Sequence, residues 1–275
     1  MPTIRIQIAY DGTAYHGWQV QSRHRSVEGE LTRALTRILD ADTPVKVQGA
    51  SRTDSGVHAR GQVAHFRYRK DRTIWDFCRG LNGLTDDDIC VVRVEEASHD
   101  FHARHSARGK IYRYRIWNHT FVHPFDRHRS WHIKGRLDLR RMRHAARQFV
   151  GEHDFAGFRS SNCSSPTTIR RMERVEISGG DGPVVEVLVK GEAFLQHMVR
   201  IMVGTIVEIG LGRLPADRVQ HVLEQKDRRQ AGRTAPACGL TLDEVFYPGF
   251  DWKGSEPTIG GAYSAEASSV FSYTP

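Results

Sequence analysis

Apolar and polar residues alternate over Ile4-Arg5-Ile6-Gln7-Ile8-Ala9-Tyr10, which predicts a strand with one buried face. Asp11-Gly12 closes it as a turn. Ser26 is a helix cap, and Glu28 and Glu30 in the first turn suit the positive end of a helix dipole. Val27, Leu31, Leu35, Ile38 and Leu39 then share one helical face. Val45 and Val47 return to an extended pattern, and after a loop over 51–60 a strand is predicted over 62–68. A short helix follows over 73–81, with Trp75 facing inward. The rhythm then repeats. The spacing predicts a strand over 111–117 and a helix capped by Asp138 that carries Leu139, Met142, Ala146 and Phe149 on one face. A β-branched strand over 184–190, helices over 194–209 and 217–223, and a last strand over 240–247 complete the series.

The strands come in pairs and alternate on one side only. That argues for an α+β protein with a mainly antiparallel sheet, helices on one face, and two similar halves. The division falls near residue 105, giving segments 1–105 and 106–248. Gly, Ser and Pro dominate 249–275, which reads as a loosely ordered tail. Its aromatics (Phe250, Trp252, Tyr263, Phe271 and Tyr273) offer the alternative of docking on the body.

Charge sharpens this picture. Lys and Arg number 40 against 32 Asp and Glu, a formal net charge of +8. Such an excess favours polyanionic partners, because each neutralised phosphate releases a counterion. Most of the positive charge is Arg, whose planar fork holds phosphate and stacks on bases. The four cysteines, Cys78, Cys90, Cys163 and Cys238, have neither CxxC nor zinc-finger spacing. No signal-peptide core opens the chain and no run of about 18 apolar residues occurs, so a cytoplasmic, non-membrane protein is expected. Phosphate-loop, dinucleotide, serine-hydrolase and zinc-protease motifs are absent. His99, His102 and His105 recur every third residue, but Ala103 and Arg104 between them supply no ligand. They read as a solvated or polyanion-facing cluster rather than a metal site.

The segment Gly49-Ala50-Ser51-Arg52-Thr53-Asp54-Ser55-Gly56-Val57-His58-Ala59-Arg60-Gly61-Gln62 stands apart. Small residues flank Arg52-Thr53-Asp54, which permits close approach of a ligand to the backbone. Two readings remain open from composition: a surface Asx-turn with Asp54 paired to Arg52, or a carboxylate presented to a ligand.

This segment resembles the signature of the tRNA pseudouridine synthase A family. Further similarity lies in Tyr10-Asp11-Gly12-Thr13 through Tyr15-His16-Gly17-Trp18-Gln19, in Asp100-Phe101-His102-Ala103-Arg104, and in Lys110-Ile111-Tyr112-Arg113-Tyr114. It continues in Gly151-Glu152-His153-Asp154-Phe155 with Phe158-Arg159, in Phe194-Leu195-Gln196-His197-Met198-Val199-Arg200 with Gly204, and in Ala235-Pro236-Ala237 with Gly239-Leu240. Departures are small: Ser51 stands where Gly is common, Ser55 where Ala is common, and Ile201-Met202 where Asn-Ile is usual.

The resemblance implies isomerisation of uridine to pseudouridine in the anticodon arm of tRNA, at positions 38 to 40. It implies a homodimer and no cofactor or metal. It puts the catalytic carboxylate on Asp54, its basic partner on Arg52 or Arg200, and the aromatic against the target base on Tyr112. Arg60, Arg104, Arg108, Lys110 and Arg113 are candidates for the RNA-facing surface. Trp18 and Phe155 read as core residues. The expected architecture is thus two RRM-like (ferredoxin-like) halves with an active-site cleft between them. One alternative is a non-catalytic RNA-binding module of two RRM-like halves. A carboxylate facing phosphates would only repel them, which weighs against it. Another is a nucleoside hydrolase, which would usually need a second acid, and none neighbours Asp54 in the loop.

Overall fold

The computed structural model describes residues 1–68 and 72–249, so the tail aromatics from Phe250 to Tyr273 lie outside the described residues. The opening alternation builds β1 (Thr3–Tyr10), with Ile4, Ile6 and Ile8 fully buried. In α1 (Val27–Ile38) the Ser26 side chain accepts from the Gly29 N–H, and Val27, Leu31, Ala34 and Leu35 form the buried stripe. The extended stretch before the loop shortens to β2 (Gln48–Gly49). β3 (His58–Arg67) begins well before Gln62, because Gly56 at φ +77° turns the chain early enough for His58 to enter the sheet.

In α2 (Ile74–Leu84), Thr73 and Asp76 form a reciprocal cap. That cap sets the helical phase so that Phe77, Cys78 and Leu81 face the core. Trp75, expected inward, is 44% exposed as a result. β4 (Ile89–Ala97) follows, then β5 (Gly109–Asn118) and the short β6 (Trp131–Ile133). Asp138 caps α3 (Leu139–Arg147) by accepting from the Arg141 N–H. β7 (Gly151–Asp154), β8 (Ile169–Ser178) and β9 (Val184–Gly191) come next. α4 (Met198–Gly210) starts later than the apolar run beginning at Phe194, since His197 takes a left-handed φ of 62° and breaks the helical path before it. α5 (Arg218–Gln225) and β10 (Leu240–Phe246) finish the described chain.

Among the described residues, ten strands form one sheet in the order β4-β1-β3-β10-β5-β9-β8-β7, with β2 added on β3 and β6 on β5. Pairing is antiparallel except between β3 and β10 and between β5 and β6. This is a mixed α+β fold with a mostly antiparallel sheet. One spatial order occurs twice: β4-β1-β3-β2 from the first half of the chain and β10-β5-β9-β8 from the second.

The junction between these halves positions the site. β1 occupies one edge of β3 along most of its length. The other edge is shared. Gln48 and Gly49 of β2 pair with His65 and Ala64, whereas Thr241 and Leu242 of β10 pair with His58 and Ala59. Residues 50–57 therefore leave the sheet between two strands from opposite ends of the chain. α4 is fixed nearby by a close crossing, since a Cβ on Gly204 would lie 1.7 Å from the Arg233 carbonyl oxygen.

The phase of α2 gives a measurable contrast. Phe77→Ala empties a fully buried site and should cost about 3–5 kcal/mol in urea unfolding. Trp75→Ala should change stability by no more than about 0.5 kcal/mol. Equal losses from the two would contradict the assigned phase.

Candidate active site

The loop carrying Asp54 is clamped on both flanks. The Gln62 side chain, fully buried in β3, donates to the Ser51 carbonyl at 2.7 Å, and its oxygen accepts from the Ser51 N–H at 3.2 Å. It acts as a strand partner where no strand is present. Thr53 and Tyr10 share a buried hydroxyl–hydroxyl hydrogen bond of 2.8 Å. The Thr53 carbonyl accepts from the Trp18 N–H at 3.1 Å, and the Tyr15 carbonyl accepts from the Gly56 N–H at 3.2 Å. Trp18 and Phe155 are core residues, 2% and 0% exposed.

With its backbone so occupied, the loop presents the Asp54 carboxylate to α4. Arg200 donates through Nη1 to Asp54 Oδ2 at 3.1 Å and through Nε to the Ala235 carbonyl at 2.8 Å. The side chains of Asp54 and Arg200 are 20% and 15% exposed, so the pair is largely shielded from water. The His197 Nε2 lies 3.6 Å from the same carboxylate oxygen. Arg52, the other candidate partner, is exposed and makes no hydrogen bond or ion pair to Asp54 among the described residues. Of the two basic residues left open by the sequence, Arg200 is the one beside Asp54.

Tyr112 is 6% exposed and stands edge-on to Phe194 at 5.1 Å. Its hydroxyl shares a hydrogen bond of 2.7 Å with Ser51 Oγ. Burial pushes its phenol up to about 12, against the pull of that hydrogen bond. Lys110 sits two residues earlier on β5, and its Nζ donates to the Ala50 carbonyl at 2.9 Å. Burial, with Arg104 nearby, draws this ammonium down to about 8. Arg104 lines the same cavity, as do His105 and Arg170. Arg60 and Arg108 are exposed but lie outside the cavity lining. Arg113 alternates to the sheet face away from Tyr112, where Glu186 and Asp243 hold it at 2.8 and 2.7 Å.

The cavity in front of Asp54 has a volume of about 960 Å³, large enough for a nucleoside. Most of its charged lining is cationic; Glu192 also lines it and is solvent-exposed. A shielded carboxylate paired with a guanidinium, in a cationic recess with a tyrosine wall, suits attack on or stabilisation of an electron-poor carbon in a polyanionic ligand. Gln62, His197 and Arg170 were not singled out from the sequence, because their roles depend on contacts with distant segments. The histidine triplet resolves into parts: His102 Nδ1 accepts from the Arg104 and His105 N–H groups and closes a turn, leaving His105 at the cavity.

A family model described as tRNA pseudouridine synthase matches residues 6–106 and 145–248. The chain is similar to the tRNA pseudouridine synthase A of Pelobacter propionicus, with 44% identity over 247 residues, 90% of this chain and 100% of that protein. It is 45% identical to the protein of the same name from Geobacter sulfurreducens, with 90% and 100% covered. Asp54 falls in the first matched segment and Arg200 in the second.

Lys110 offers a test of the buried floor. Between about 8 and 10.5 the unfolded chain keeps a proton on this lysine that the folded chain has lost. Unfolding free energy from this group therefore rises with pH across that window and is flat below it. Urea unfolding from pH 7 to 10.5 should show this slope in the wild type and lose it in Lys110→Met. An unchanged slope in the variant would place the lysine in solvent.

Proposed function

The chain belongs to the tRNA pseudouridine synthase A family, an isomerase family, and from that premise we propose that it converts uridine to pseudouridine at positions 38, 39 and 40 of the tRNA anticodon arm, with Asp54 as the catalytic carboxylate. The observation that carries this reading is the Asp54–Arg200 pair facing a nucleoside-sized cavity.

Breaking a glycosidic bond builds oxocarbenium-like charge at C1′. The Asp54 carboxylate is suited to meet that charge, and the ion pair with Arg200 aims it. Two routes fit: a bond from Asp54 to C1′, or removal of the C2′ proton to give a glycal. The base then turns and its C5 bonds to the same C1′. The target uridine must leave its stack, which costs a few kcal/mol, roughly. Tyr112 offsets part of this by packing against the base, worth about 1–3 kcal/mol. Arg104 and Lys110 fit contacts within the recess. Arg52, Arg60 and Arg108 are exposed cations suited to backbone phosphates. Arg113 is already neutralised by two carboxylates and fits that role less well.

The twice-repeated strand order supports reading the halves as RRM-like, that is ferredoxin-like, with the cleft where β3 meets β10. A cytoplasmic homodimer that contacts one tRNA with both subunits belongs to the same reading. Among the described residues, no helix is long and apolar enough to cross a membrane.

The test uses tRNA tritiated at C5 of uridine. The wild type should release the label and leave pseudouridine. Asp54→Asn should bind tRNA but release label at least roughly 10³-fold more slowly. A fully active Asp54→Asn would remove Asp54 from the chemistry, and free uracil as product would replace isomerisation by hydrolysis.

A further inference from the structure

His197 is the residue just before α4, and the roles of Asp54, Arg200 and Tyr112 leave it without one. Its backbone is left-handed at φ 62° and ψ 0°, a conformation that glycine adopts freely and that costs other residues about 1–2 kcal/mol. Its side chain caps nothing. Among the described residues no hydrogen bond holds the ring, and the one carboxylate within 4 Å is that of Asp54, at 3.6 Å. The ring is 32% exposed and lines the cavity, as Tyr112 does. A left-handed backbone thus sets an imidazole with no hydrogen bond of its own beside the Asp54 carboxylate.

Pseudouridine formation leaves one task for such a group. Once C5 has bonded to C1′, that carbon still carries its hydrogen, and a base must remove it. We propose that His197 is a further catalytic residue of this reaction: its Nε2 takes the C5 proton of the rotated uracil. The inference rests on the pseudouridine-forming reading. The C5–H bond breaks, its electron pair restores the C5–C6 double bond, and the former C6–N1 double-bond pair moves to N1. N1 then gains a proton, from the imidazolium or from water, so one proton passes from C5 to N1 with no redox change.

The geometry favours His197 over Tyr112. C5 is by then bonded to C1′, the atom that Asp54 meets, so a base 3.6 Å from Asp54 lies within reach of its proton. The Tyr112 hydroxyl is engaged with Ser51, and burial keeps it a phenol at neutral pH. Imidazole is the side chain most often used as a general base. Along either route Asp54 is again a free carboxylate when the C1′–C5 bond is complete, so it stabilises the imidazolium as that cation forms.

The experiment uses the full chain and tRNA carrying hydrogen or deuterium at C5 of the target uridine. His197→Asn keeps a residue that tolerates the left-handed backbone. His197→Gly relieves that backbone and leaves space for added imidazole. Both variants should bind tRNA like the wild type and turn over about 10²–10⁴-fold more slowly. A primary deuterium effect should appear in them that exceeds any in the wild type, and imidazole should restore His197→Gly. Wild-type turnover in His197→Asn, or slow turnover with neither isotope effect nor rescue, would overturn the proposal. Variants that lose tRNA binding or melt early without rescue would likewise make His197 structural. Failure of the wild type to form pseudouridine would instead refute the underlying functional reading.

Discussion

A charged carboxylate in a recess shielded from water needs a partner for its charge, and the fold delivers Arg200 to Asp54 across 146 positions of sequence. Much of the architecture follows from that requirement. The loop must hold still, so Gln62, Tyr10 and the backbone of residues 15–18 satisfy it from the sides. The guanidinium must point one way, so its Nε is tied to the Ala235 carbonyl. That carbonyl is itself placed by the Ala235 N–H donating to the Arg200 carbonyl and by the tight crossing at Gly204. Each partner of the pair is thus fixed by contacts that do not involve the other. The pairing then requires little reorganisation when a ligand enters.

The sheet supplies the opening. β3 is bordered along one edge by two strands that meet it at opposite ends, and the chain between them is free to bulge. A sheet paired without interruption along this edge would bury the loop and leave no recess. Cations gather there because β5 supplies Lys110, the turn before it Arg104, and α4 Arg200. Tyr112 forms a wall by the same alternation that sends Arg113 to the opposite face.

Much of this was legible in the residues, and the gaps have physical causes. β1, β5, β9 and β10 follow regular alternation, and α1 and α3 carry the caps read from Ser26 and Asp138. β8 was missed because its register shifts between Met172 and Arg174, which breaks the alternation. β4 carries a similar shift opposite Gln7 and Ile8. The apolar run from Phe194 looks helical throughout, but His197 turns the backbone away from the helical path, a conformation that no hydrophobic pattern encodes. Asp54 stood out through its setting of small residues and the family resemblance. The choice of Arg200 over Arg52 needed three dimensions, since adjacency in sequence favoured Arg52. Gln62 was hidden for a related reason: a polar residue in a strand announces itself as surface, and this one is fully buried as a backbone mimic.

β10, the last described strand, lies between β3 and β5 at the centre of the sheet rather than at its edge. The two halves can each begin to pair as they leave the ribosome, but the seam joining them stays open until residues 240–246 emerge. Until then Asp54 has no settled neighbour across the cleft, and the nascent chain exposes two strand edges. A chain lacking residues 240–246 would lose its central strand, and with it the geometry of the whole recess.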